Sequence, residues 1–316
     1  EVLRKVTRQG VGVLYISHHL EEVFAIGSRV TVLKDGSKVA THDINSVNEG
    51  FIIQEMVGRP AELFYAREKM MPSVTPRGVF EVVDLRGGVV KGVSFQVYAG
   101  EIFGIGGMVG SGRTELVRLL FGLDKRVSGR VLLDGQEITP TSPLDAIAKG
   151  ICLITEDRQK TGLVLVRSVR ENVSLARLNL ENREFLNLRK EKESVENLVV
   201  KLRIVTPHLE QEVINLSGGN QQKVVLAKWL LTNGRVYIFD EPTRGIDVGA
   251  KEEIYRLMMD LVKAGKFVIM VSSDMPELIA LSDRVGVMCN GRMVKVLEGG
   301  EVAEENILAC ALGIVR

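Results

Sequence analysis

Hydrophobic residues along the chain fall into short runs, and these runs alternate with segments of helical periodicity. The runs EIFGIG, ICLIT, VYIFD and FVIMVS predict buried strands, and further strands are predicted at Phe80–Leu85 and Val93–Val97. Apolar residues recur at helical spacing in RTELVRLLFG, QQKVVLAKWLL and AKEEIYRLMMDLVKAG, and Arg183–Leu202 predicts a charged amphipathic helix. Buried strands that alternate with helices predict an α/β fold with a largely parallel sheet.

One part of this pattern occurs twice. The segment GVGVLYISHHLEEVFAIGSRVTVLKDGSKV, from Gly10, aligns without a gap with GKFVIMVSSDMPELIALSDRVGVMCNGRMV, from Gly265. Both copies predict a buried strand, a loop, a helix and a short strand pair around a Gly turn. Identical pairs in the alignment include Ser17 and Ser272, Glu22 and Glu277, Arg29 and Arg284, Val30 and Val285, and Gly36 and Gly291.

The repeat predicts two related domains. The chain opens with EVLRKVTRQG, which has no Met and is typical of the middle of a helix, so we expect a fragment of a longer protein. We expect residues 1–57 to be the C-terminal part of a first domain and residues 76–316 to be a complete second one. The stretch between them, residues 58–75, is rich in proline and charge and predicts a linker.

Acidic and basic residues nearly cancel, with 41 Lys and Arg against 40 Asp and Glu. This balance gives no reason to expect nucleic acid or an anionic membrane as a partner. Cys152, Cys289 and Cys310 lack metal-like spacing and predict buried thiols in a reducing compartment. Apolar runs fall short of the roughly 18 residues that a membrane span requires, and no signal peptide is visible.

A glycine-rich loop follows the strand EIFGIG, in the stretch GIGGMVGSGRTEL. Gly107, Gly110 and Gly112 would let the backbone turn its N–H groups around a phosphate, and the following helix would add partial positive charge. Thr114 could offer its hydroxyl to Mg²⁺, but position 113 is Arg where such loops have Lys. For the glycine pattern alone, a strand-to-helix turn without a ligand remains the alternative.

Two further stretches carry candidate chemistry. VYIFDEP places Asp240 and Glu241 at the carboxyl end of a buried strand, where ligands bind in parallel sheets. Asp240 could hold Mg²⁺ through water and Glu241 could polarise an attacking water, although such a pair can also cap a helix. LSGGNQQK places Ser217 and two glycines before a helix, as a second anion-binding N-terminus or as a simple cap.

In this order and spacing, the three elements resemble the ATP-binding-cassette family. The resemblance covers the second domain, and the N-terminal segment is similar to the end of another cassette. It implies a phosphate-loop core with a mainly parallel sheet, a small antiparallel β subdomain and a helical signature subdomain. It also implies ATP or ADP and Mg²⁺ as cofactors.

The resemblance assigns roles to individual residues. It implies that Glu241 and His18 are catalytic, that Thr114 and Asp240 hold Mg²⁺ through the nucleotide, and that Asp247 lies at the acidic position of the loop after the Mg²⁺ strand. The signature residues are Ser217, Gly218, Gly219 and Gln221. The nucleotide-binding residues are Gly107, Gly110, Ser111, Gly112, Arg113, Thr114, Glu156, Asp240 and Ser273.

Several positions depart from the family pattern. The planar fork of Arg113 does not match the compact ammonium of Lys among phosphates. Glu156 stands where the family has a Gln that senses the γ-phosphate, and Ser273 stands where it has a His. His18 occupies the corresponding position in the first copy of the repeat. The stretch LRGGVVKG offers no aromatic ring to stack on adenine.

The combination of TEDR, Arg in the phosphate loop and NQQK looks most like the second cassette of ATPases that power bacterial ribose, galactose and xylose importers. This resemblance implies an ATPase subunit at the cytoplasmic face of the cell membrane, with a first cassette and membrane permease subunits as partners. A sugar-binding protein would be an indirect partner. The segment from Glu156 to Leu216 would contact the permease, and no nucleic acid is expected.

If the two cassettes pair head to tail, as they do in the family, two nucleotide sites would form. The residues that match the family pattern would lie in one site and those that depart from it in the other. The signature at Ser217 and the His at position 18 would serve one site, and Arg113, Glu156 and Ser273 would serve the other. We therefore expect one hydrolytic site and one site that mainly holds nucleotide, with low activity for the isolated fragment.

Two other classes of protein remain as alternatives. One is a cassette ATPase that acts on DNA or the ribosome, which usually carries a long coiled coil or a long basic linker, and neither feature is visible here. The other is a regulatory nucleotide-binding module without turnover, which the second domain alone does not exclude.

Overall fold

The computed structural model describes residues 2–17, 20–34, 37–49, 51–52, 55, 78–181, 187–246 and 248–314. The chain divides into two compact units. The smaller unit comprises Glu1–Ala66 and Ile246–Glu252, and the larger unit comprises Arg67–Gly245 and Glu253–Arg316. The predicted linker, residues 58–75, lies outside the described residues.

The smaller unit contains helices α1 (Val2–Arg8) and α2 (Leu20–Ile26) and the antiparallel strands β1 (Arg29–Lys34) and β2 (Ser37–Asp43). Its core consists of Val30, Val32, Ile44 and Ile52. The helix at the start, the helix after the loop and the strand pair of the first repeat copy are thereby confirmed.

The buried strand predicted at the start of the first repeat copy is wrong. Residues 11–17 form no strand, and Leu14 and Ile16 are 89% and 87% exposed. A buried strand needs neighbouring strands for its backbone hydrogen bonds, and within the described part of this unit β1 and β2 pair with each other. In the second copy, the equivalent apolar run lies between two parallel strands and is fully buried.

The larger unit is built on a six-stranded sheet in the order β12-β11-β5-β10-β9-β8. Its strands are β5 (Ile102–Gly107), β8 (Ile151–Ile154), β9 (Val236–Asp240), β10 (Phe267–Val271), β11 (Arg284–Cys289) and β12 (Arg292–Glu298). The first five are parallel, and β12 pairs antiparallel with β11 at the edge. This arrangement confirms the predicted parallel sheet and places the carboxyl ends of β5, β9 and β10 side by side.

A second sheet is antiparallel, in the order β4-β3-β6-β7. It contains β3 (Val79–Gly87), β4 (Val90–Tyr98), β6 (Ser128–Leu133) and β7 (Gln136–Glu137). Phe95 of this sheet stacks on Phe103 of the parallel sheet with ring centroids 5.1 Å apart. Arg284 donates to both the carboxylate of Glu101 and the carbonyl of Gln96, which fastens the two sheets together.

The predicted helices are also present, although the charged helix begins at Leu188 rather than Arg183. The helices that follow α2 are α3 (Arg113–Leu120), α4 (Pro143–Ala148), α5 (Val169–Glu181), α6 (Leu188–Lys201), α7 (Gly218–Leu231), α8 (Val248–Lys263), α9 (Met275–Leu281) and α10 (Glu304–Ala311). A single π-helical turn spans Arg158–Gly162. Among the described helices, none combines the length and the hydropathy needed to cross a bilayer.

Candidate functional site

The glycine-rich loop joins the carboxyl end of β5 to the first turn of α3. Gly107 has φ 148°, and a Cβ atom there would collide with the carbonyl oxygen of Met288. Gly110 has φ 80° and nothing within 4 Å of the position of an added Cβ, so it faces open space. The Ser111 carbonyl accepts from the N–H of Gly291 at 2.9 Å, which holds the loop in its curve. The loop is therefore a fixed, open turn before a helix N-terminus.

Two buried oxygens near this loop have no hydrogen-bond partner among the described residues: Ser111 Oγ and Asp240 Oδ1. Asp240 ends β9 and is only 4% exposed. Thr114, at the start of α3, lines a cavity together with Asp240. A buried polar atom without a partner costs roughly 1–3 kcal/mol, so such atoms are typical of ligand sites. The Asp240 carboxylate and the Thr114 hydroxyl are a donor set that suits Mg²⁺.

The electrostatic setting of Asp240 supports the same interpretation. Burial, together with the charge of the neighbouring Glu241, raises the pKa of Asp240 to about 6, although Arg113 acts in the opposite direction. A carboxylate that is desolvated beside another carboxylate gains from a nearby cation. The residues present therefore fit a divalent cation at this end of the sheet.

Glu241 follows directly and adopts φ 48°, while its N–H donates to the carbonyl of Val271 at 2.9 Å. Its Oε2 atom accepts from both the backbone N–H and the hydroxyl of Ser273, each at 3.0 Å. The structure therefore brings together two predicted site residues that are far apart in sequence.

Arg113 reaches the same cluster from the phosphate loop. Its Nη1 atom donates to the Ser272 carbonyl at 2.7 Å, and its Nη2 atom lies 3.7 Å from Glu241 Oε1. The guanidinium group is nearly buried by these contacts. The positive charge of Arg113 is therefore directed towards protein groups that lie beyond the carboxyl ends of β9 and β10.

Glu156 follows β8 and forms an ion pair with Arg244, which lies three residues after Glu241. The Glu156 side chain also lines the cavity that contains Thr114 and Asp240. An acidic residue at this position is accommodated because a basic residue in the loop after β9 neutralises it.

The signature residues lie at the start of α7. Ser217 caps the helix by accepting from the N–H of Asn220. The side chain of Gln221 is buried, donates to the Val213 carbonyl at 3.1 Å and accepts from Gln159 at 3.1 Å. A Cβ on Gly218 would lie 2.6 Å from Arg158 Nη2. These contacts tie the signature to the π-helical turn after Glu156.

The remaining predicted residues, His18 and Asp247, lie outside the described residues. The structure adds three residues that the sequence interpretation had not assigned to the site: Arg244, Ser272 and Glu277. The repeat contained a signal for two of them, because Ser272 and Glu277 have identical counterparts in the first copy. Arg244 carried no such signal, because its ion pair with Glu156 forms only in the tertiary fold.

A cavity of about 490 Å³ opens from Thr114, Asp240 and Glu156. Its other side is largely apolar and includes Leu123, Leu144, Leu175 and Trp229. Lys228 also lines it and donates to the Gly162 carbonyl at 2.6 Å, while burial lowers the pKa of Lys228 to about 8. An apolar groove thus adjoins the candidate cation site.

The chain is similar to several known proteins. A family profile described as ABC transporter matches residues 90–244. The chain is 45% identical to the ribose import ATP-binding protein RbsA of Oceanobacillus iheyensis over 99% of this chain and 63% of that protein. It is 41% identical to the galactose/methyl galactoside import ATP-binding protein MglA of Clostridium tetani over 98% of this chain and 62% of that protein.

Among solved structures, the chain resembles an ATP-binding cassette of an ABC transporter in its ADP conformation. The TM-score is 0.60 at 23% identity, over 74% of this chain and 95% of that one. At this identity the similarity concerns the fold alone. The chain spans less than two thirds of the length of the two sugar-import relatives.

Proposed function

Because this chain belongs to the ATP-binding-cassette family, we propose that its larger unit binds ATP or ADP with Mg²⁺ at the loop from Gly107 to Thr114. The observation that carries this proposal is the pair of buried, unpartnered oxygens, Ser111 Oγ and Asp240 Oδ1, beside an open glycine loop at a helix N-terminus. Backbone N–H groups of the loop would hold the phosphates.

Thr114 and Asp240 are the residues that would hold Mg²⁺, with the Thr hydroxyl exposed at the start of α3 and the carboxylate at the end of β9. When bound, the ion neutralises phosphate charge. Glu241 is the candidate group for accepting a proton from an attacking water.

We propose that this site mainly holds nucleotide and hydrolyses it slowly. Glu241 Oε2 already accepts two hydrogen bonds from Ser273, and Oε1 lies near the guanidinium of Arg113. A carboxylate engaged in this way has little capacity left to take a proton from water. A regulatory module without turnover is the second candidate function, and the same contacts favour it.

For the full-length protein, we propose two cassettes with different roles. Residues 1–57 would belong to a first cassette, residues 58–75 to a linker and residues 76–316 to the second cassette. His18 and the signature Ser217–Gly219 would serve hydrolysis, with Asp247 in the loop after the Mg²⁺ strand. Arg113, Glu156 and Ser273 would belong to the other site, which mainly holds nucleotide.

The test of this division is steady-state ATP hydrolysis by the full-length protein with its membrane partner. Ser217→Arg and His18→Ala should each nearly abolish sugar-stimulated turnover, whereas Ser273→Ala should change it little. If Ser273→Ala were as damaging as His18→Ala, the division into two roles would be wrong.

We propose monosaccharide import as the process that the full-length protein energises, at the cytoplasmic face of the cell membrane. The names of the relatives at 45% and 41% identity support ribose or galactose as the class of cargo. The apolar side of the 490 Å³ cavity supports docking of a membrane permease subunit. Co-purification of the full-length protein with permease subunits tests this, and Leu144→Glu at the exposed rim should weaken the association.

A further inference from the structure

Glu277 is a buried carboxylate that contacts residues beside the candidate site. It lies in the first turn of α9 and is only 1% exposed. Its Oε1 atom accepts from Thr243 Oγ1 at 2.8 Å, and its Oε2 atom accepts from Ser272 Oγ.

The two donors, Thr243 and Ser272, belong to two different segments, and both segments reach the candidate site. Thr243 lies two residues after Glu241, in the loop that follows β9, and Ser272 lies directly before Ser273 at the end of β10. Glu277 therefore fastens the loop that carries Glu241 to the turn that carries Ser273. The hydrogen bonds between Glu241 and Ser273 span the gap between these same two segments.

Burial of Glu277 is energetically unfavourable for the charged form, and it raises the pKa of this carboxyl. The hydrogen bonds from Ser272 and Thr243 oppose that shift. Hydroxyl donors offset the desolvation of a buried carboxylate less completely than a cation would. An apolar residue could therefore fill this position at a lower cost in folding free energy. The hydrogen bonds that Glu277 accepts from Thr243 and Ser272 therefore indicate a role in orientation.

The smaller unit contains the same interaction independently. Glu22 accepts from Ser17 Oγ at 3.3 Å, and these two residues align with Glu277 and Ser272 in the repeat. The second donor differs, because Tyr15 donates to Glu22 at 2.6 Å whereas Thr243 donates to Glu277. The Ser–Glu hydrogen bond is thus common to both units although its surroundings have changed.

We propose that Glu277 is a positioning residue that holds the Ser272–Ser273 turn where it meets the terminal phosphate of ATP, and that it thereby sets the preference for ATP over ADP. The inference rests on the proposed nucleotide binding. Residue 113 occupies the place of the Lys that reaches the β- and γ-phosphates. Since Arg113 bonds to the Ser272 carbonyl, the turn lies on the γ-phosphate side of the loop.

The experiment compares affinities for two nucleotides in the chain as it stands. Titration calorimetry with Mg-ADP and with a Mg complex of a non-hydrolysable ATP analogue gives two dissociation constants for each variant. Glu277→Ala should weaken the ATP analogue about tenfold and leave ADP within about twofold. Glu277→Gln, which keeps an acceptor and the shape of the side chain, should restore the wild-type ratio.

Ser272→Ala provides a second variant if Glu277→Ala does not fold. It removes only the hydroxyl and keeps the carbonyl that Arg113 contacts. We therefore expect a smaller loss of affinity for the ATP analogue, again with little change in the affinity for ADP. An equal loss of affinity for both nucleotides, or no loss of affinity in either variant, would overturn the positioning role while leaving nucleotide binding intact. Absence of binding in the wild-type protein would overturn the proposed function and this inference with it.

Discussion

Position 113 determines how firmly the phosphate loop can hold a nucleotide. The guanidinium of Arg113 is directed to the Ser272 carbonyl and towards Glu241, so its charge is partly neutralised within the protein. A phosphate that binds the loop competes with these groups. The fork of Arg is also wider than the ammonium that such loops normally enclose.

Arg113→Lys should therefore tighten the binding of Mg-ADP, by about tenfold in the dissociation constant. A Lys ammonium is compact and fits among the phosphates without spanning the distance to Ser272. Titration calorimetry measures the change, and Arg130→Lys, at an exposed position of β6, serves as the control. Weaker binding by Arg113→Lys would show that the guanidinium is adapted to the nucleotide.

Asp240 illustrates the conflict between stability and function at a single residue. Its pKa lies above the ordinary value of 3.8, at about 6, chiefly because it is buried. The charged form therefore destabilises the fold, and this penalty is absent below pH 3.8 and complete once the pH has risen past about 6. Ionisation of Asp240 is nevertheless what a Mg²⁺ site requires.

Asp240→Asn should raise the free energy of unfolding in the absence of Mg²⁺ and nucleotide, by up to about 3 kcal/mol at about pH 8 and by less at about pH 5. Urea unfolding at both pH values measures this gain. Asp124→Asn is the control of opposite sign, because hydrogen bonds from Arg118 lower the pKa of Asp124. Destabilisation by Asp240→Asn at both pH values would contradict the account.

At the scale of elements, helix α7 connects the signature to the phosphate-loop helix. Trp229 of α7 packs edge-on against Phe121, just after the end of α3, with ring centroids 5.6 Å apart. Most of α7 is buried, including polar residues such as Gln221 and Gln222. Packing of this helix therefore stabilises the larger unit and fixes the position of Ser217.

Trp229→Ala should lower the free energy of unfolding by about 3–5 kcal/mol, because it leaves a cavity between α7 and α3. Urea unfolding measures the loss. Val200→Ala truncates a side chain in α6 that is 77% exposed, and it should change stability by less than about 0.5 kcal/mol. Similar effects of the two substitutions would show that Trp229 does not connect these helices.

Periodicity predicted the central strands of the parallel sheet well, because these strands are buried on both faces and read as continuous apolar runs. It failed at residues 11–17, where the same kind of run forms no strand. The glycine loop and Asp240 could be predicted because their chemistry depends on neighbours in sequence. The partners of Arg113, Glu156 and Glu277 could not, since Ser272, Arg244 and Thr243 meet them only in the tertiary fold.

At the scale of the whole molecule, the chain contains two compact units, and it spans 63% of the length of its ribose-import relative. The repeat shows that the two units share the strand pair and the Ser–Glu hydrogen bond. The larger unit carries Arg113 where phosphate loops normally have Lys, and Ser273 where the first copy of the repeat has His18. We therefore expect this unit alone to have low hydrolytic activity.

The chain alone should therefore turn over ATP at less than about 1 s⁻¹, the low end of ordinary enzymes. Release of phosphate at saturating Mg-ATP measures this rate, and the same assay with EDTA provides the background. Faster turnover would mean that Glu241 acts as a base despite its hydrogen bonds to Ser273.

Calorimetric titration of Mg-ADP into the chain, with Gly110→Asp beside Gly110→Asn, tests nucleotide binding at the phosphate loop most directly. Both side chains fit the open space at Gly110 and tolerate its positive φ, so the variants differ mainly in one negative charge. We expect measurable binding by the wild-type chain and by Gly110→Asn, and a dissociation constant at least about tenfold higher for Gly110→Asp. Equal affinities for Gly110→Asp and Gly110→Asn, or no binding by the folded wild-type chain at millimolar nucleotide, would contradict the account.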